Sequence, residues 1–149
     1  MASASTSTLT MLVNLASEEV DLATKNLAVA NQALKLEQEK SAMLRTYKQD
    51  YIDQYNARLS NGLGKELHLN YQRFLQNLAQ AIDGQEQMVI AAQYERDKKR
   101  EVLQKAQQKK MSYEVLISRA EKKALHTANK REQKLMDEFA MRAKRKHAN

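Results

Sequence analysis

The sequence predicts an all-α fold: an antiparallel two-helix coiled-coil hairpin whose second helix is longer and overhangs the first. Three observations lead there. The 149 residues contain no Pro and only three Gly, the two residue types that helix interiors exclude. Apolar residues recur at steps of three and four, the alternation of a coiled-coil seam. A single cluster of chain-turning residues, Ser60-Asn61-Gly62-Leu63-Gly64, separates the two periodic stretches.

Taken in order, residues 1–8 are rich in Ser and Thr, lack apolar spacing and read as a disordered N-terminal tail. The single coiled-coil domain then covers 9–149. Its first helix is expected over about 9–59, with Thr8 or Thr10 as cap. The stripe of that helix runs Leu9, Leu12, Ala16, Val20, Ala23, Leu27, Ala30, Leu34. It weakens between Lys35 and Lys40 and resumes at Met43/Leu44, Tyr47, Tyr51 and Tyr55. The turn falls at about 60–65, where Asn and Gly supply the positive-φ positions that end a helix. The second helix is expected over about 66–144. Two interleaved seven-residue series describe its seam: Leu67, Phe74, Ala81, Met88, Glu95, Val102, Lys109, Leu116, and Tyr71, Leu78, Gln85, Ala92, Lys99, Ala106, Tyr113, Ala120. Gly84 lacks a second breaker beside it and loosens this helix without ending it.

The two helices differ in reach. At about 1.5 Å per residue the first spans roughly 75 Å and the second roughly 115–120 Å. Folded back from the turn, the first covers the second to about residue 116, leaving about 30 residues without a partner in the chain. Those residues coincide with a shift in charge. Residues 1–93 hold 8 Lys/Arg against 10 Asp/Glu, and residues 94–149 hold 17 against 8, so the excess of +7 lies wholly in the C-terminal part.

Composition excludes several functions. Without Cys there is no disulfide framework, thiolate metal site or Cys nucleophile. His68, His126 and His147 are scattered and lack metal-ligand spacing, the Gly residues form no phosphate loop, and the carboxylates are spread along charged faces. No catalytic residue, cofactor or metal is expected, and the chain reads as a non-enzyme that binds other proteins. It has neither a signal-peptide pattern nor an apolar run of membrane-spanning length. A cytoplasmic protein that reaches the membrane only indirectly is therefore expected.

Two regions invite partners. Tyr47, Tyr51 and Tyr55 recur every four residues before the turn, and Tyr71 and Phe74 follow it at similar height. These rings either clasp one another or leave an exposed aromatic anchor. The basic runs 96–100 and 142–146 are interrupted by Glu121, Glu132, Asp137 and Glu138. A solvated helix or an acidic protein surface explains them before nucleic acid does.

The strings Asn70-Tyr71-Gln72-Arg73-Phe74 and Met136-Asp137-Glu138-Phe139-Ala140 resemble the second-helix start and the C-terminal signature of the flagellar FliJ family. Leu15-Ala16-Ser17-Glu18-Glu19 and the Leu44, Tyr47, Tyr51 spacing fit as well, and the resemblance runs from about residue 9 to 146. It implies a coiled coil similar to the central stalk of rotary ATPases. Its expected partners are a hexameric flagellar export ATPase, the cytoplasmic domain of a membrane export gate, and export chaperones. By that resemblance Leu44, Tyr47, Tyr51, Phe74, Leu78, Ala81 and Gln85 would contact the gate. Met136, Asp137, Glu138, Phe139 and Arg142 would contact the ATPase ring. The alternatives are the equivalent stalk of a virulence type III secretion system and, from another class, a basic coiled coil that binds nucleic acid.

Overall fold

A computed structural model of the chain describes the backbone of residues 2–148 and the side chains of residues 6–148. It contains two helices, α1 (Ala2–Ser60) and α2 (Lys65–Ala148), and no strand among the described residues. The helices pack antiparallel as a hairpin with the second helix longer. Helix α1 begins at Ala2, so residues 2–8, which lack apolar spacing, are helical. Ser and Thr are only mildly unfavourable in helices, and Thr10 Oγ1 donates to the Thr6 carbonyl at 2.9 Å, an i−4 bond that fits a helix.

The turn follows the chemistry of its residues. Gly62 takes φ +86°, a left-handed conformation that only a residue without Cβ adopts freely. The amides of Asn61 and Gly62 donate to the carbonyls of Arg58 and Leu59 at 3.2 Å each, tightening the last turn of α1. The His68 amide then donates to the Gly64 carbonyl at 3.0 Å and opens α2.

The chain divides into two compact units, Leu22–Leu103 and, from its two ends, the residues up to Asp21 with those from Gln104 on. In the first unit the seam positions of α1 are Ala23, Leu27, Ala30, Leu34, Glu37, Ser41, Leu44, Lys48, Tyr51 and Tyr55, which alternate steps of four and three, and Ile52 is partly covered beside them. Those of α2 are His68, Tyr71, Leu75, Leu78, Ile82, Gln85, Val89, Ala92, Arg96, Lys99 and Leu103, with Phe74, Ala79 and Glu86 partly covered beside them. Of the two series expected for α2, the one through Tyr71, Leu78 and Gln85 forms half of this seam. The other half lies one residue later than expected, at Leu75, Ile82, Val89 and Leu103. Leu67, Met88, Val102 and Leu116 are correspondingly about half exposed. Met43 and Tyr47, 71% and 51% exposed, also lie beside the seam, which passes through Leu44 and Lys48 instead.

The weak stretch of α1 holds a polar layer. Gln85 Nε2 donates to the Glu37 carbonyl at 3.0 Å and to Glu37 Oε2 at 2.5 Å, from seam position to seam position. Beside it, on one flank, Arg45 pairs with Glu86. A polar layer in an apolar seam fixes the alignment of two helices at some cost in stability, because a slipped alignment strands its polar groups.

In the second unit Leu9, Val13, Ala16 and Val20 of α1 and Ala106, Lys110, Tyr113, Ile117 and Ala120 of α2 are the seam positions, with Thr6, Leu12 and Ser17 partly covered beside them. Lys109 Nζ lies 3.4 Å from Glu19 Oε1 across the helices. Covered positions continue to Ala120, slightly past the expected limit near 116 because α1 starts earlier. From Glu121 to Ala148 every residue is exposed. That stretch is about 40 Å of helix with no partner among the described residues.

The polar layer gives a direct test. Replacing Glu37 and Gln85 together by Leu is expected to raise the thermal midpoint, measured by circular dichroism. Gln85→Leu alone removes the Gln85 amide from the Glu37 carboxylate, which Lys40 still meets at 3.5 Å, sets an apolar side chain against it, and is expected to destabilise by about 1 kcal/mol. A double variant less stable than the parent would show that the pair contributes net stability and does more than align the helices.

Candidate protein-binding sites at the two ends

At the turn end six rings form a ladder across the helices. Tyr55 stacks at a tilt on His68 and Tyr71, with centroids 5.5 and 5.3 Å apart. Tyr51 lies 4.9 Å from Tyr71 and 4.2 Å from Phe74. Tyr47 meets the edge of Phe74 at 6.0 Å and an interplanar angle of 74°. The four-residue spacing along α1 and the three-residue step from Tyr71 to Phe74 each put neighbouring rings on one face, so the two sets interleave. Tilted and edge-on pairs of this kind each contribute about 0.5–1.5 kcal/mol beyond area burial.

The ladder is not uniform. Tyr71 is buried, and Tyr51, Tyr55 and Phe74 are half-buried, whereas Tyr47 has half its surface in solvent. The inner rings clasp one another and Tyr47 stays exposed beside them. Of the residues expected at this end, Leu44, Tyr51, Leu78 and Gln85 occupy the seam, and Gln85 is engaged with Glu37. Tyr47, Phe74 and Ala81 lie together on one flank beside it. The exposed Met43 and Met88, in seam positions by heptad spacing alone, lie off the seam. His68 joins the cluster unannounced by the sequence, its Nδ1 2.5 Å from the Tyr55 hydroxyl. A lone His with no metal-type spacing gave no signal, and only the turn brings it opposite Tyr55.

Burial among the rings raises the Tyr51 hydroxyl above its ordinary value of 10.0. Tyr71 and Tyr47 act in the same direction, and Arg58 acts against them. A phenol raised in the folded state favours folding fully below its unfolded value, and that contribution disappears as pH climbs through the folded value.

At the other end of α2, Leu135, Met136, Phe139 and Met141 are 66, 68, 77 and 65% exposed. Asp137, Glu138 and Arg142 are exposed among them. Leu135 and Phe139 lie one turn apart on one side, and Met136 and Phe139 share the adjacent edge. Exposed large apolar side chains grouped in this way mark a candidate contact surface. No group of three or more His, Asp or Glu able to hold a metal ion occurs among the described residues. No described helix is long and apolar enough to cross a membrane.

One expectation follows for the ring ladder. Above about pH 10 the thermal midpoint should fall, and Tyr51→Phe, which keeps the ring, should reduce that alkaline loss in melts followed by circular dichroism. An undiminished loss would place the sensitivity in another tyrosine.

The geometry of two long helices agrees with comparison to known proteins. The family model described as flagellar FliJ protein matches residues 5–149. The flagellar FliJ protein of Salmonella typhi is 30% identical over 132 residues, spanning 89% of this chain and 90% of that protein. Its counterpart in Escherichia coli (strain K12) is 30% identical over 135 residues, spanning 91% and 92%. Among solved structures, a putative YscO homolog, CT670 from Chlamydia trachomatis, superposes with a TM-score of 0.51 over 95% of this chain and 92% of that one. At 18% identity that likeness speaks for the fold alone. A family match over residues 5–149 and 30% identity to relatives matched over about nine-tenths of both chains settle the assignment: the chain belongs to the flagellar FliJ family, coiled-coil proteins of flagellar type III export.

Proposed function

We propose that the chain is a non-enzymatic stalk that couples the export ATPase ring to the export gate and escorts export chaperones. The observation that carries this reading is the unequal length of the helices. Residues 121–148 are helical and exposed on every side, with Leu135, Met136 and Phe139 standing among basic residues. A lone helix of this length is marginal in water and gains most of its stability from a partner. The inner wall of a hexameric ring would supply one, and Met136, Asp137, Glu138, Phe139 and Arg142 are the residues assigned to that contact.

The turn end suits a different partner. Tyr47, Phe74 and Ala81 offer an aromatic flank held in place by the buried rings behind it. Aromatic side chains anchored in this way are favoured binding hot spots. We assign this flank to the gate, with Leu44, Tyr51, Leu78 and Gln85 supporting it from the seam. The protein then works in the cytoplasm, held at the inner face of the membrane through the apparatus alone. The basic residues surround the helix without forming one stripe, which favours a protein partner over nucleic acid. The 30% identity to flagellar relatives favours the flagellar apparatus over a virulence system.

Two experiments test the assignment. Tyr47→Ala combined with Phe74→Ala is expected to keep helical content nearly intact while abolishing motility; loss of the circular dichroism signal would return the cluster to a structural role. Truncation after Ala128 is expected to weaken stimulation of the purified export ATPase. Unchanged ATP turnover by the assembled ring would count against the stalk.

A further inference from the structure

The connection between the helices holds a chemically reactive pair, Asn61-Gly62. An asparagine can lose its side-chain amide when the next backbone nitrogen reaches its Cγ and closes a five-membered ring. That attack needs a nitrogen free of a rigid hydrogen bond and a following residue that does not crowd it. Inside a helix the first condition fails, because each amide is tied to the carbonyl four residues back. Asn61 lies outside both helices and is exposed. Its carboxamide makes no hydrogen bond among the described residues. Gly62 has no Cβ, and no heavy atom lies within 4 Å of where one would stand, so water and base reach the site. The Gly62 amide is held only by the Leu59 carbonyl at 3.2 Å, at an exposed helix end of the kind that frays. Every other described asparagine lies within α1 or α2 and precedes a residue with a Cβ. The chain also carries its own control. Asp83-Gly84 has the same reactive spacing, with water as leaving group in place of ammonia, but lies inside α2.

We propose that Asn61 is a site of spontaneous deamidation in the folded chain, converting to isoaspartate and aspartate. Water or hydroxide takes the proton of the Gly62 amide, and the nitrogen attacks Asn61 Cγ. A bond forms between that nitrogen and Cγ, the bond from Cγ to the side-chain nitrogen breaks, and ammonia leaves with the proton returned. The succinimide then takes up one water at either of its two carbonyls. Opening at one gives aspartate, and opening at the other gives isoaspartate, whose main chain runs through the side-chain carbon. One water enters and one ammonia departs, with no change of oxidation state. The isoaspartate lengthens a four-residue connection, 61–64, by one carbon. Either product sets a carboxylate beside the carbonyl end of α1, where the helix dipole disfavours negative charge. Both effects bear on the first rung of the ring ladder, Tyr55 with His68. The inference does not depend on the role in export.

Trypsin cuts after Arg58 and Lys65, so residues 59–65 are released as one peptide carrying the site. The full chain is incubated folded at neutral and at mildly alkaline pH, beside the free 59–65 peptide and the chain unfolded in urea. Digests are read by mass, for exchange of NH by O, and by labelling with an isoaspartyl methyltransferase. In the folded chain Asn61 should convert at a rate within several-fold of the free peptide, and several-fold faster at the higher pH. Asp83 should gain label only in the unfolded chain. Asn61→Gln, whose ring closure would be six-membered and slow, should stay helical by circular dichroism and lose the label at this peptide. The aged chain should melt lower than the fresh one, and Asn61→Asp, which adds the charge alone, should melt between them. An intact Asn61 in the folded chain while the free peptide converts overturns the proposal, because the turn then holds the Gly62 amide. Label at Asp83 as early as at Asn61 overturns it too, because unfolding and not the turn then sets the rate. Equal midpoints for the fresh and aged chains overturn the effect on the ring ladder.

Discussion

A seam of heptad period joining two helices can bury only one side of each. Most of what this molecule presents to its surroundings follows from that limit. Few side chains are truly buried, among them Ala16, Ala23, Leu34, Tyr71, Leu78, Ile82 and Ala106. A contact this thin holds the helices together only where they overlap. Much of what lies off the seam stays in water, including Tyr47 beside the turn, Leu22, Val29, Leu36 and Met43 along α1, and α2 from Glu121 to Ala148. Exposed apolar surface of this extent is costly in a protein that acts alone. In one that acts by contact it is the working surface.

The seam also divides labour along its length. Close to the turn it is aromatic, and the interleaved rings hold Phe74 and Tyr47 in a fixed arrangement. In the middle it is polar, where Glu37 and Gln85 meet and Ser41 and Lys48 replace apolar residues. There alignment is specified more than stability is gained. In the unit formed by the chain ends the buried residues are Ala16 and Ala106, with Leu9, Val13, Val20, Tyr113 and Ile117 partly covered around them.

Much of this was legible in the residues, and the misses have physical causes. The absence of Pro, the single Gly-rich break and the seven-residue series through Tyr71, Leu78 and Ala106 defined the hairpin without coordinates. The other α2 series was displaced by one because apolar residues occur there in adjacent pairs: Phe74 with Leu75, Met88 with Val89, Val102 with Leu103, Leu116 with Ile117. A step of three then four fits heptad period as well as four then three, and only packing against α1 chooses between them. Near Glu37, Ser41 and Lys48 polarity hid a seam that is geometrically unbroken. The rings were foreseeable as a cluster. Which of them faces solvent was not, since that depends on whether a residue lies in the seam or one position beside it.

In the proposed stalk the end of α2 stays free for a partner, and the partner completes it. Amide hydrogen exchange of the full chain, alone and with the assembled export ATPase ring, tests this most directly. Alone, residues 121–148 should exchange much faster than the seam around Leu78 and Ile82. With the ring present, protection should rise over 121–148 while residues 22–103 stay unchanged. Slow exchange over 121–148 in the free chain, or no gain in protection on adding the ring, would contradict the account.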